Sequence, residues 1–164
     1  MDRGGFQKFL GVQHNIITSS QALTAMAERY VDNPLVAGID LRNELRKAHG
    51  HSPTWGDGNE KTDWAMAAEK AGNLVLEVNP NLLILVEGTE FAGNLEGAKT
   101  HPIELSKPRQ LIYSGHMYPF WWDSTLAYPD FKNRMETRQT FVMKGDHTYS
   151  VSIFNIKQWR WPLM

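Results

Sequence analysis

The chain has 164 residues, of which 41% are hydrophobic and 21% are charged, as is typical of one globular domain and not of a disordered segment. Its formal net charge is −1 and its 17 basic residues are scattered, so we expect neither a nucleic-acid partner nor a membrane partner. It contains no cysteine, which excludes a disulfide framework and a thiolate metal site.

The first clear pattern along the chain is an amphipathic helix that follows Ser19-Ser20, a pair that can cap its amino end. Its apolar side chains recur at helical spacing: Leu23, Met26, Ala27, Tyr30 and Val31. Pro34 cannot continue this helix. Residues 36–41 then form an apolar run of the kind that is buried on both faces of a parallel sheet.

Arg42, Asn43 and Glu44 come directly after this predicted strand. Catalytic side chains collect at the carboxyl ends of parallel strands, so a carboxylate beside an amide at this place is a candidate acid/base site. A solvated loop that merely ends the strand is the alternative interpretation of the same three residues.

The rest of the chain alternates between helix and strand. Thr62 or Asp63 can cap a second helix, whose predicted buried stripe is Trp64, Ala67, Ala68, Ala71 and Val75. Residues 82–87 and 110–114 predict two more buried strands, and Pro129 suits the first turn of a third helix. This order predicts an α/β fold with a parallel sheet. An eight-stranded barrel needs about 200 residues or more, so the chain forms either a small open sheet or a piece of a barrel.

Several separated motifs resemble glycoside hydrolase family 5, the cellulase family. In chain order they are Asp-Leu-Arg-Asn-Glu at 40–44, Pro-Thr-Trp-Gly at 53–56, Thr-Asp-Trp at 62–64, Ala-Gly-Asn at 71–73, Val-Asn-Pro-Asn-Leu-Leu-Ile at 78–84, Val-Glu-Gly at 86–88 and Leu-Ile-Tyr-Ser-Gly-His-Met-Tyr at 111–118. The resemblance runs from about residue 20 to about residue 145. It implies a partial (β/α)8 TIM barrel of about three to four parallel strands, the fourth to the sixth of the family barrel.

The resemblance also implies roles for particular residues. The family cleaves β-glycosidic bonds with retention, and its Asn-Glu pair matches Asn43 and Glu44. Glu44 would be the general acid/base, with a raised pKa in the free enzyme, and Asn43 would hold the 2-hydroxyl of the sugar. The family's His-x-Tyr motif matches His116 and Tyr118, which would line the cleft.

Two tryptophans are further candidates for contact with sugar. Trp55 could stack on a sugar ring as a subsite wall. Trp122 could floor the cleft, although partial burial is an equal interpretation. We expect Trp64, by contrast, to belong to the core.

The family pattern breaks near the carboxyl end of the chain. Retention needs a second carboxylate as nucleophile, but no glutamate follows Glu136. Glu87 and Glu90 are the only nearby substitutes, and for Glu87 we favour a structural salt bridge. We therefore expect residues 1–145 to be a partial catalytic domain, 146–164 to be a divergent tail, and the chain alone to be inactive. A non-catalytic carbohydrate-binding remnant and an unstable truncated product are the alternatives.

The expected partner is a β-glucan or a related polysaccharide, bound by a monomer without a cofactor. No metal is expected, because the other histidines, such as His49, His51, His101 and His147, lack ligand spacing. No apolar signal region is visible in residues 1–9. An extracellular location is therefore implied by the family resemblance alone.

Overall fold

A computed structural model describes residues 12–48, 50–116 and 128–138. Its helices and strands are α1 (Val12–Arg29), β1 (Gly38–Asp40), α2 (Trp64–Val78), β2 (Leu83–Glu87), β3 (Leu111–Ser114) and α3 (Tyr128–Arg138), with a short 3-10 helix at Glu96–Lys99. The strands form a parallel sheet in the order β1-β2-β3. The predicted parallel α/β arrangement of a partial barrel is therefore confirmed, with each strand one to three residues shorter than the apolar run that predicted it.

The two faces of the sheet have different neighbours. Ile84 and Val86 are fully buried and point to the face that α2 covers, because a Cβ atom on Gly72 of α2 would lie 3.1 Å from the Ile84 side chain. Side chains alternate along a strand, so Leu85 and Glu87 point to the opposite face. This second face leads to the candidate site.

Helix α2 agrees with its prediction in its cap and in its buried stripe. The Asp63 carboxylate accepts the backbone N–H of Met66 at 3.2 Å, as an N-cap should. It also accepts the N–H groups of Gly56 and Gly58, at 2.9 and 2.8 Å, and so fixes the preceding loop. All five predicted stripe residues, among them Trp64, are at most 3% exposed. The small side chains allow the helix to lie close to the sheet.

Helix α1 differs from its prediction in where it begins and in how much of its apolar stripe is buried. It begins at Val12, so Ser20 lies inside the helix and is buried, and the predicted capping role of the serine pair is wrong. Within the predicted stripe Ala27 is fully buried, but Met26 and Val31 are 50% and 48% exposed. The reason is that α1 packs mainly on α2, which covers only part of its apolar side. Within the described residues, no helix is long and apolar enough to cross a membrane.

Candidate active site

The site lies where the chain leaves β1. Leu41 still pairs with β2, since its N–H donates to the Leu85 carbonyl at 3.1 Å. Asp40 then accepts the N–H of Arg42 at 3.0 Å, a local bond that favours a turn over further strand. Glu44 follows with φ of +46°, a left-handed conformation that costs about 1 kcal/mol for a residue with a Cβ atom. The turn places the Glu44 side chain beside the ends of β2 and β3.

The Glu44 carboxylate has partners on both oxygens. Its Oε1 lies 3.2 Å from Nδ1 of His116, two residues beyond β3. Its Oε2 accepts a hydrogen bond from the Arg46 guanidinium, also at 3.2 Å. The side chains of Glu44 and His116 are 13% and 15% exposed, so both are largely shielded but can still be reached from solvent. The structure thus brings together two residues that are 72 positions apart in sequence.

Glu87, at the end of β2, is the third residue of the cluster. Its Oε2 accepts the backbone N–H of Glu44 at 2.5 Å, and its Oε1 lies 3.1 Å from Nε2 of His116. Its own carbonyl accepts the indole N–H of Trp64 at 2.7 Å, which anchors the end of β2 to α2. The imidazole ring of His116 therefore lies between two carboxyl groups.

Burial and neighbouring carboxylates control the charge of this cluster. Burial and the nearby charge of Asp40 raise the pKa of Glu87 from its ordinary 4.5 to about 8, although the hydrogen bond from Glu44 opposes the rise. Desolvation also raises the pKa of Asp40, despite the overall exposure of that residue. At neutral pH Glu87 is therefore a protonated, hydrogen-bonding group. The structural contact predicted for Glu87 is present, since its Oε1 lies 3.1 Å from Nε2 of His116, and this contact is an ion pair when both groups are charged.

The loop after β2 connects the two halves of the cluster. Three consecutive residues, Glu90, Phe91 and Ala92, have left-handed backbone conformations, with φ of 55°, 59° and 63°. The turn is held because the Phe91 N–H donates to the Leu45 carbonyl at 3.3 Å and the His116 N–H donates to the Ala92 carbonyl at 3.0 Å. These two hydrogen bonds therefore fix the separation between Leu45 and the backbone of His116.

A cleft of about 490 Å³ opens beside this loop. Its lining includes His116, Phe91, Glu90, Arg134 and Arg138. Phe91 is 44% exposed, and the guanidinium of Arg46 lies 5.4 Å from the centre of its ring. Glu90 binds Arg138 at 2.6 Å; burial alone would raise its pKa, but this ion pair and a bond from Asn94 lower it. The cleft combines an aromatic surface with polar groups, as ligand-binding pockets commonly do.

A comparison with models of known protein families identifies the family to which this chain belongs. The family described as cellulase, glycosyl hydrolase family 5, matches residues 8–150. The chain belongs to glycosyl hydrolase family 5. The resemblance found in the sequence motifs is thereby confirmed.

Relatives with known names support the family 5 assignment. An endoglucanase of Paenibacillus polymyxa is 45% identical, over 66% of this chain and 34% of that protein. The major extracellular endoglucanase of Xanthomonas campestris pv. campestris is 38% identical, over 58% of this chain and 21% of that protein. The chain thus spans about a third or less of the length of these relatives.

Solved structures give the same result for the fold. A hyperthermophilic endocellulase from the archaeon Pyrococcus horikoshii has a TM-score of 0.72 and 29% identity, covering 85% of this chain and 45% of that one. A complex of a variant of the Pyrococcus horikoshii endocellulase with cellotetraose has a TM-score of 0.72 and 26% identity, covering 84% and 45%. The described strands and helices are therefore arranged as in part of a family 5 barrel.

The other residues predicted for the family 5 site lie in different places. Asn43 is exposed and directly precedes Glu44 in the chain. Trp55 is not brought to the cluster: its indole N–H donates to the His101 carbonyl at 2.8 Å, and its ring contacts Tyr113, which points to the α2 side of the sheet. Tyr118 and Trp122 lie outside the described residues, as does the tail at 146–164.

Sequence reasoning did not place Glu87 in the cluster, and it missed Phe91 in the lining of the cleft. Glu87 is a carboxylate at the end of its predicted strand, just as Glu44 is a carboxylate directly after the preceding strand. This similarity of position was the signal in the sequence that could have placed Glu87 in the site. Phe91 follows four residues later in a loop whose left-handed turn has no local sequence signature, since none of its three residues is glycine.

Proposed function

We propose that this chain carries the proton-donating half of a retaining β-glycosidase site, with Glu44 as the general acid/base. The observation that supports this most is the contact of 3.2 Å between Glu44 and His116 at the carboxyl ends of β1 and β3. In a chain of family 5, these are the residues and the end of the sheet at which an acid/base is expected. Both oxygens of the Glu44 carboxyl group have side-chain partners, Arg46 from the same loop and His116 from the segment after β3.

The chemistry requires a carboxyl group that is shielded but reachable. A glycosidic oxygen is a poor leaving group until a proton is transferred to it, and the donor must then remain stable as an anion. Glu44 is 13% exposed, and the Arg46 guanidinium lies 3.2 Å from its Oε2, where it can stabilise the anion that remains after proton transfer. The His116 ring on the other oxygen keeps the carboxyl group in one orientation.

The second half of a retaining site is a nucleophilic carboxylate about 5 to 5.5 Å from the acid. Glu87 does not suit this role, because it is 1% exposed and holds its proton at neutral pH. Glu90 is ionised but engaged by Arg138 at 2.6 Å. We infer that the chain alone does not turn over substrate.

The substrate class we propose is a β-linked glucan, as in an endoglucanase. Support comes from the endoglucanase relatives and from the cellotetraose complex of the Pyrococcus horikoshii endocellulase. Asn43 remains a proposed sugar contact from its sequence position, and His116 and the half-exposed ring of Phe91, which line the cleft, support contact with a sugar there. Tyr118 and Trp122 remain proposed contacts from their sequence positions. Trp55 is left out, because its ring belongs to the packing on the α2 side.

Calorimetry with cellotetraose tests this proposal. The chain should bind the tetrasaccharide with measurable heat, and His116→Ala should weaken that binding because it removes a cleft wall and the partner of Glu44. Arg29→Ala, at the end of α1 and remote from the cleft in the fold, is the matched control. Absence of heat at millimolar cellotetraose would contradict the assignment of the cleft.

A carbohydrate-binding remnant is the second candidate, and it is favoured because the cleft is present while neither Glu87 nor Glu90, among the described residues, suits the role of nucleophile. Release of reducing sugar from β-glucan separates the two. Binding without release supports the remnant, whereas steady release that Glu44→Gln abolishes would overturn the inferred inactivity.

We also propose an extracellular, monomeric protein. One relative is by name a major extracellular endoglucanase, which supports secretion. Light scattering of the purified chain tests the oligomeric state, with a mass near 18.7 kDa expected for a monomer. A mass twice as large would reject that state.

A further inference from the structure

A buried carboxyl group lies directly behind the proposed proton donor, and the proton transfer to substrate does not itself require it. Glu87 is 1% exposed and is among the largest fully buried side chains of the described residues. Carboxyl groups are seldom buried to this degree unless hydrogen bonds replace the lost water. The contacts of Glu87 therefore indicate its role.

One oxygen of Glu87 restrains the backbone of Glu44. The N–H of Glu44 donates to Oε2 at 2.5 Å, and Glu44 has the left-handed φ of +46°. A residue with a Cβ atom keeps such a conformation only where its surroundings hold it. The hydrogen bond acts at the very residue whose side chain has to point at the substrate.

The other oxygen of Glu87 restrains the His116 ring. Its Oε1 is 3.1 Å from Nε2, while Nδ1 of the same ring is 3.2 Å from Glu44 Oε1. A ring that is bound at both nitrogens is fixed in its plane and in its rotation. Glu87 is in turn anchored, because Trp64 donates to its carbonyl at 2.7 Å.

We propose that Glu87 is a positioning residue for the Glu44–His116 pair, holding the backbone of Glu44 with one carboxyl oxygen and the ring of His116 with the other. The inference rests on the proposed function, in which Glu44 is the acid/base. Glu87 does not touch the reacting atoms; it acts through the two residues that do. Neighbours that face it are Asp40 from β1, Glu44 after β1 and His116 after β3.

The test compares Glu87→Gln and Glu87→Leu with the unchanged chain, and uses Glu77→Gln, an exposed change on α2, as the control. Two NMR readouts are local to the site: amide hydrogen exchange of Glu44, and the 15N shifts of the His116 ring. A general loss of stability would accelerate exchange throughout the chain and would not single out Glu44.

The expected results follow from hydrogen-bond chemistry. In Glu87→Gln the amide oxygen must face the Glu44 N–H, because the NH2 group cannot accept; the NH2 group then faces Nε2 of His116. His116 should be fixed with its proton on Nδ1, and Glu44 exchange should stay within about twofold of the unchanged chain. In Glu87→Leu both restraints are lost, so Glu44 should exchange about tenfold faster and the His116 shifts should move toward a tautomer average.

Each outcome decides the proposal. A folded Glu87→Leu chain with unchanged Glu44 exchange and unchanged ring shifts would overturn it. If that variant does not fold, a His116 ring protonated on Nε2 in Glu87→Gln would overturn it instead. Cellotetraose binding is measured on the same samples. Failure of the unchanged chain to bind rejects the proposed function, while the exchange and ring data still decide the positioning role.

Discussion

The buried Glu87 should make the stability of this chain fall as pH rises through neutrality, and Glu87→Gln should remove that dependence. The unfolded chain loses the Glu87 proton near its ordinary pKa of 4.5, whereas the native chain keeps it until about 8. Between these values the unfolded state binds fewer protons than the native state. Stability therefore decreases with increasing pH in this window, and it is independent of this group below the window.

The magnitude follows from the linkage between pKa and free energy. One proton retained only by the native state lowers the free energy of unfolding by about 1.4 kcal/mol per pH unit, which amounts to roughly 2 to 3 kcal/mol between pH 5 and pH 7. The neighbouring Asp40 carboxyl group is responsible for part of the raised pKa of Glu87, and water can reach the cluster from the cleft. We therefore expect about half of that value, about 1 to 2 kcal/mol.

Urea unfolding at several pH values, followed by circular dichroism, measures the effect. The free energies of Glu87→Gln and of the unchanged chain should diverge in favour of the variant as pH rises from 5 to 8. Glu77→Gln, which changes an exposed carboxylate, should follow the unchanged chain. Parallel curves for Glu87→Gln and the unchanged chain across this range would refute the assignment of a proton to Glu87.

Three further changes test the fold and the cleft. Asp63→Ala should destabilise the chain by about 2 to 3 kcal/mol in urea unfolding, since a helix cap and two loop hydrogen bonds are lost; a loss no larger than that of the exposed Asp32→Ala would contradict the capping role. Gly38→Ala should cost about 1 to 3 kcal/mol, because its Cβ would lie 2.6 Å from the backbone oxygen of Leu83; an unchanged midpoint would argue against this close approach. Phe91→Ala should weaken cellotetraose binding about threefold to tenfold in calorimetry, whereas Met26→Ala on α1 should not; equal affinities would remove Phe91 from the binding surface.

The sequence predicted best those features that local pattern determines. The stripe of α2 repeats at helical spacing and is capped by Asp63, and the structure agrees with both. Helix α1 shows the limit: Ser20 is as compatible with a buried helix interior as with a cap, and no pattern before it marked the true start at Val12.

The site was only partly predictable, because its geometry depends on register between distant strands. A strand that is apolar on both faces has no alternation, so the sequence could not show that Glu87 points to Glu44 and not to α2. The pairing of Glu87 with Ser114 places His116 two residues beyond, within reach of both carboxyl groups. Trp55 shows the converse, since an aromatic residue in a long loop can fold back onto the far side of the sheet.

The central proposal is that Glu44 and His116 contact a β-glucan bound in the cleft. NMR titration of the 15N-labelled full chain with cellotetraose tests it most directly. We predict saturable shift changes at Glu44, His116 and Phe91, and none along α1. Changes confined to other parts of the chain, or no change at millimolar cellotetraose, would contradict the claim.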